Sequence, residues 1–247
     1  MIMNKPLEYL ENLSRILDEI KKHQLESIEK ASAAFADALE NGRRIFLFGT
    51  GHSHMLAEEL FYRAGGLVCI QPIFEEDLML HKSASKSTEF ERLDGYAQKL
   101  FNDYSMNEND VVVIISNSGR NGVCVDMAQL AKDSGLTVIA LTNLNHSKSM
   151  SSRHPSGKKL YEFADIVLDN MGCIGDASVY FEKIGRNASP TSTSSGAAIL
   201  NAVAAGCIEK MIEDGFTPEV FSSSNVDGGD AVNEAYLSKY KDIIKSL

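Results

Sequence analysis

The chain has 247 residues, 44% hydrophobic and 23% charged, enough for a sizeable core and too apolar for a disordered chain. Its formal net charge of -10 argues against binding nucleic acid or an anionic membrane by charge alone. A small anion is still admissible, because a helix N-terminus or a glycine-rich loop makes a local positive site whatever the total charge.

Residues 7–40 carry helical spacing, with Leu10, Leu13, Ile16, Leu17, Ile20, Leu25 and Ile28 recurring at threes and fours. The apolar seam predicts a helical extension, residues 1–41, that packs on the domain or on a second copy. Asn41-Gly42 ends it as a helix C-cap would. The mixed, charged start M-I-M-N-K-P-L-E-Y-L is unlike a signal peptide, and no apolar run approaches transmembrane length. Cys69, Cys124, Cys173 and Cys207 form no C-x-x-C pair and read as small core residues in a reducing compartment. A cytoplasmic protein is the expectation.

From residue 42 to 247 one further domain is expected. R-I-F-L-F-G, residues 44–49, is an apolar strand that runs into G-T-G-H-S and then a helical M-L-A-E-E-L-F-Y-R-A. Gly65-Gly66 closes that helix, and L-V-C-I-Q-P-I is a second strand. Residues 75–109 are a polar, mostly helical insert, with L-D-G-Y-A-Q-K-L-F as one helix. V-V-V-I-I, 111–115, is a third strand. After its S-N-S-G-R-N loop comes a helix ended by Gly135. Strands at 136–142 and 164–169 follow, separated by a polar loop, 143–159. A hydroxyl-rich start at Thr191 opens a long buried helix, and the tail from Pro218 is loop-like with a short helix at 231–247. Strands alternating with helices predict an α/β fold. The sheet is five-stranded, parallel and doubly wound, flanked by helices in a flavodoxin-like three-layer sandwich.

Ligands of such sheets sit beyond the carboxyl ends of the strands. Two strands end there in small hydroxyls and glycine, at Gly51-His52-Ser53 and at Ser116-Asn117-Ser118-Gly119-Arg120. Glycine lets the backbone come close to a ligand, hydroxyls donate without adding charge, and helix N–H groups carry partial positive charge. Ser and Thr are also ordinary N-caps, but two such loops in one sheet point to a phosphate cradle. Thr191-Ser192 can complete it. G-T-G-H-S lacks the third glycine of a dinucleotide fingerprint and the Gly-Lys-Ser/Thr of a Walker loop.

G-T-G-H-S, I-S-N-S-G-R-N and A-x-x-S-G-L-T-V-I-A-L-T together resemble the sugar isomerase (SIS) domain. The resemblance covers about residues 40–215 and is strongest over 111–142. It implies phosphosugar binding, with phosphate contacts from Ser53, Ser116, Ser118 and the backbone near Gly119, and additions from Thr191 or Ser192. S-P-T-S-T-S-S-G-A-A-I-L-N-A-V and G-F-T-P-E-V-F are similar to arabinose-5-phosphate isomerases. S-H followed by A-E-E-L and Arg63 is similar to sedoheptulose-7-phosphate isomerases. Two departures stand out. Asn225, in N-V-D-G-G-D, occupies the place of a histidine in the first group. The Ser53-to-Glu59 interval is about one helical turn shorter than in the second. The whole pattern looks most like a bacterial SIS subgroup apart from both.

Aldose–ketose isomerisation needs a base to move a proton between two carbons and an acid to polarise the carbonyl. Glu58, Glu59 and His54 are the candidates, although Glu59 stands four residues before Arg63, as a surface ion pair would. His52 and His54 share a face for a metal only if their loop is extended. No metal and no cofactor is expected. Arg153, in the basic loop 153–159, can clamp a phosphate or carboxylate. Asn225 can bind sugar hydroxyls, against a plain reading of its Asn-Asp-Gly segment as turn chemistry. A phosphosugar sensor and an N-acetylmuramate 6-phosphate etherase are the competing functions. The resemblance further implies a homodimer or homotetramer with a small-molecule sugar phosphate as ligand.

Overall fold

The apolar runs become five parallel strands in a computed structural model that describes residues 4–93 and 95–247. They are β1 (Ile45–Gly49), β2 (Ile70–Pro72), β3 (Val111–Ile115), β4 (Thr137–Thr142) and β5 (Ile166–Asp169), in the order β2-β1-β3-β4-β5. β1 and β3 are buried at every position, which is why they read as unbroken apolar runs with no alternation. The register pairs Gly49 with Ile115 and Ile115 with Leu141. Three adjacent strands therefore finish level, and their loops leave from one edge. β2 is shorter than its apolar sequence, since Pro72 has no N–H to donate and Leu67 bridges antiparallel to Val220 in the tail.

Alternate strand residues feed two cores. Ile45, Leu47, Val113 and Leu141 face α1 (Lys5–His23), α2 (Leu25–Glu40), α3 (Met55–Leu60) and α8 (Ser192–Glu213). Phe46, Phe48, Val112 and Ile114 face α5 (Tyr96–Asp103) and α6 (Gly122–Asp133). The result is the three-layer sandwich expected. The N-terminal helical region is two helices, broken at Gln24, whose side-chain oxygen accepts the Asp169 N–H at 2.9 Å. α2 is deeply embedded: Ala31 and Phe35 are fully buried, and the Ser32 hydroxyl donates to the Val203 carbonyl of α8 at 3.0 Å. Among the described residues α8 is the one helix long and apolar enough to cross a membrane. Here its Ile199, Leu200, Val203 and Cys207 fill the core.

The insert forms α4 (Leu80–Phe90) and α5, the latter beginning at Tyr96; Asp94, inside the predicted helix, lies outside the described residues. The polar stretch 143–159 contains α7 (Leu144–Lys148), capped by the Asn143 side chain, which accepts the His146 N–H at 2.8 Å. An antiparallel hairpin, β6 (Val179–Phe181) and β7 (Arg186–Ala188), was not expected. The last helix, α9 (Gly229–Tyr240), is displaced from the predicted 231–247.

Candidate functional site

The strand order reverses between β1 and β3. From β1 the chain moves outward to β2, whereas from β3 it moves the other way through β4 to β5. Loops leaving the two central strands then diverge to opposite faces and leave a crevice between them. They are the loops 50–54 and 116–121.

The β1 loop is one 3-10 turn, Gly51–His54, closed by the Ser53 N–H donating to the Thr50 carbonyl at 3.0 Å. It folds back so tightly that a Cβ on Gly49 would lie 2.7 Å from the Ser53 carbonyl carbon and oxygen. The turn sets Ser53 above the strand end and sends its two histidines apart. His52 is exposed at the crevice and His54 is buried. A metal shared by the two rings has no geometric basis here, because 3-10 spacing diverges where an extended loop would converge them.

In the β3 loop the Ser116 hydroxyl accepts the Gly119 N–H at 3.1 Å. Gly119 has φ +57, and a Cβ there would come within 3.2 Å of Leu160. Ser116 thus shapes the loop, while Ser118 remains half-buried at its tip. The crevice is lined by His52 and Ser53 from β1, Asn117 from β3, and Ser192 and Thr193 from α8. It is narrow, about 20 Å³, which is room for one water.

Asn170, also at the crevice, was missed in the sequence. Its amide donates to the Asn117 side-chain oxygen at 2.8 Å and its own oxygen accepts from the Asn143 amide at 3.1 Å. These amides tie the ends of β3, β4 and β5 together. The available signal was position: Asn170 follows β5 directly, as Thr50 follows β1 and Ser116 follows β3.

The start of α8 departs from the expected cradle. Asp176 accepts the Thr191 N–H at 3.1 Å, the Ser192 N–H at 2.9 Å and the Ser192 hydroxyl. An internal carboxylate already occupies this helix N-terminus, where the macrodipole favours it. Thr191 is wholly buried, its hydroxyl without a hydrogen-bond partner among the described residues. Asp176→Ala is expected to cost about 1–3 kcal/mol by stranding these donors, read as a lower midpoint in guanidinium unfolding.

The candidate acid–base groups separate. The His54 Nδ1 contacts the Gly51 carbonyl, an acceptor only, so Nδ1 carries hydrogen. Its Nε2 then faces Glu58 Oε1 at 3.4 Å. Glu59 instead joins the Arg63 guanidinium and accepts from the Asn201 amide of α8 at 2.9 Å. It is the surface ion pair its spacing allowed.

Two segments close around Asn121. Glu91, just past α4, was not singled out by the sequence. The Thr50 hydroxyl donates to one of its carboxylate oxygens at 2.6 Å and the Asn121 amide to the other at 2.8 Å. Beneath it, burial and then the Glu91 charge push the Cys124 thiol up to about 12, so this cysteine stays a neutral core residue. His81 of the insert lies over His54, ring centres 6.4 Å apart. On the other side the basic loop docks through Arg153, whose N–H donates to the Arg120 carbonyl at 3.1 Å and whose guanidinium donates to the Asn121 oxygen at 3.2 Å. His154 anchors that loop to Asp126 at 2.7 Å. Among the described residues the Arg120 guanidinium reaches the Met150 sulfur, at 3.1 Å.

Asn225 is not brought to this cluster. It is exposed, its N–H donates to the Ser223 hydroxyl at 3.2 Å, and it is not in the crevice lining; the tail leading to it bridges Leu67 through Val220. A cavity of about 880 Å³ also lies away from the loops, between α1, α2 and α8, with Leu17, Ile20, Leu25, Ala198 and Ala202 in its wall. The two lysines in its lining, Lys21 and Lys210, are already paired with Asp18 and Asp214.

The SIS domain model matches residues 8–143, beginning inside the N-terminal helices. A UPF0309 protein of Geobacillus thermodenitrificans is 45% identical over 240 residues, covering 97% of this chain and 96% of that protein. One from Halalkalibacterium halodurans is 43% identical over 239 residues, covering 97% and 96%. Among solved structures, the phosphoheptose isomerase from Neisseria gonorrhoeae superposes with TM-score 0.55 at 16% identity, covering 85% of this chain and all 100% of that one. The Vibrio vulnificus NanR protein complexed with ManNAc-6P has TM-score 0.53 at 16% identity, covering 96% and 69%. Both share the fold.

Proposed function

Because the chain belongs to the SIS-domain family, we propose that its crevice binds a phosphosugar and that the protein is an aldose–ketose sugar-phosphate isomerase. The observation that carries the chemistry is the 3.4 Å contact of His54 Nε2 with Glu58 Oε1, which begins at the residue next to Ser53. Ser53, Ser118 and the backbone of the β3 loop hold the phosphate, with Arg120 and Arg153 beside them. With the ring open, one member of the pair removes the proton from carbon 2. The other protonates the carbonyl oxygen, giving an enediol that collapses to the ketose when the proton returns at carbon 1 and the carbon-2 hydroxyl gives up its own to the pair. Since the closed crevice has space for about one water, binding requires the loops and the insert to part.

The protein works in the cytoplasm as a homodimer or homotetramer. The apolar groove between α1, α2 and α8 supports this, because it includes Leu17, Ile20, Leu25 and Ile28 of the N-terminal seam. A sensor that binds without chemistry is the second reading. It is favoured by Asn225 standing apart from the site and by Glu59 being engaged with Arg63.

Incubating the protein with sugar phosphates in deuterated water and following proton NMR tests the reading. Loss of the carbon-2 proton and growth of ketose signals are expected for one member of the panel. Lactate released from N-acetylmuramate 6-phosphate identifies an etherase instead. Line broadening with unchanged spectra identifies the sensor.

A further inference from the structure

The insert brings a carboxylate to a place where the sequence pointed to neutral donors. Both oxygens of Glu91 are held, one by the Thr50 hydroxyl and one by the Asn121 amide. Its main-chain carbonyl accepts the Val123 N–H at 3.2 Å. A Cβ on Gly51 would lie 3.4 Å from its Oε1, so the carboxylate packs against the β1 loop and bridges it to the β3 loop, the two loops that bound the crevice. These partners are neutral, and among the described residues Glu91 makes no ion pair. A second anion brought beside it meets repulsion that a half-buried position screens poorly.

The same amide has a second side. Asn121 accepts from Arg153 at 3.2 Å through its oxygen, and Arg120 stands next to it in the chain. Asn121 therefore divides a cationic side, near the tip of the β3 loop, from an anionic side at the β1 loop. A carboxylate offers about four acceptor sites. Thr50 and Asn121 use two, and the remainder suit hydroxyl donors.

On the phosphosugar reading, on which this rests, we infer that Glu91 determines specificity. It reserves the space beside Thr50 and Gly51, away from Ser53, for the uncharged, hydroxyl-bearing end of a sugar monophosphate. It rejects ligands that place a second anionic group there, such as sugar-acid phosphates. Exclusion by an unpaired like charge discriminates without adding any contact to the preferred ligand.

Calorimetry on the full chain tests this with arabinose 5-phosphate, glucose 6-phosphate, their aldonates 5-phosphoarabinonate and 6-phosphogluconate, and inorganic phosphate. The wild type is expected to bind each aldonate about tenfold more weakly than its sugar phosphate. Glu91→Gln keeps the shape and removes the charge, and it should shrink that ratio about fivefold while still binding inorganic phosphate. Glu91→Asp keeps the charge and should preserve the discrimination. Aldonates binding the wild type as well as the sugar phosphates overturn the inference, and so does a ratio unchanged in Glu91→Gln. If neither wild type nor Glu91→Gln binds any sugar phosphate or inorganic phosphate, the phosphosugar reading itself fails and this inference with it.

Discussion

Replacing Ser53 and Ser118 together by alanine is expected to weaken phosphosugar binding by about two orders of magnitude or more. A hydroxyl donating to a phosphate is a charge-assisted hydrogen bond worth about 1.5–3 kcal/mol, and two such losses exceed a hundredfold in Kd. The fold should survive. Ser53 supports its turn through the main-chain N–H, which alanine retains, and Ser118 is half-buried at a loop tip. Ser116 is the wrong choice for this test, because its hydroxyl holds the Gly119 N–H and its loss would deform the loop. Isothermal titration against the sugar phosphate that exchanges in the NMR panel, with circular dichroism as the folding control, reads the result. Unchanged affinity in a folded double variant would place the phosphate elsewhere.

The second large effect is on stability. Gly49→Ala puts a methyl group 2.7 Å from the Ser53 carbonyl, a backbone atom that cannot rotate away. The 3-10 turn must lift from β1, and with it the seat of Ser53 and the buried ring of His54. A cost of about 3 kcal/mol or more is expected, lowering the melting temperature by about 6–12 °C in a domain of this size. A variant within a degree of the wild type would show that the turn yields freely. The neighbouring Gly51 is a milder position, because its φ of +57 strains any other residue without meeting backbone.

Much of this architecture was legible because buried parallel strands announce themselves. V-V-V-I-I and I-F-L-F are apolar on both faces, and each stops at small residues where the loops begin. Positions set by local chemistry could be read in the same way: Ser53 and Asn117 were named and do meet at the crevice. What failed to show was partnership at a distance. Glu91 in E-F-E-R-L looks like any solvated acid of a polar helix, and only the fold lays it across Thr50 and Asn121. Asp176 caps a helix that starts 16 residues later, at Ser192, so no capping box appears in the sequence. Asn225 was placed by resemblance at a histidine's position and read as a sugar-hydroxyl partner, and it stands exposed outside the crevice lining.

The pairing of α2 with α8 has a consequence for how the chain is made. The Ser32 hydroxyl reaches the Val203 carbonyl across 171 residues, and Phe35 is covered from the same side. While the ribosome is still working through the sheet, the inner face of α2 has no cover. The most apolar helix of the chain is then among the last pieces to emerge. Contacts of such long range form late and slowly, and a half-made chain with uncovered apolar surface is prone to aggregate. Substitutions at this helix pair should therefore be felt first as lost yield of soluble protein, in chains whose finished copies still bind normally.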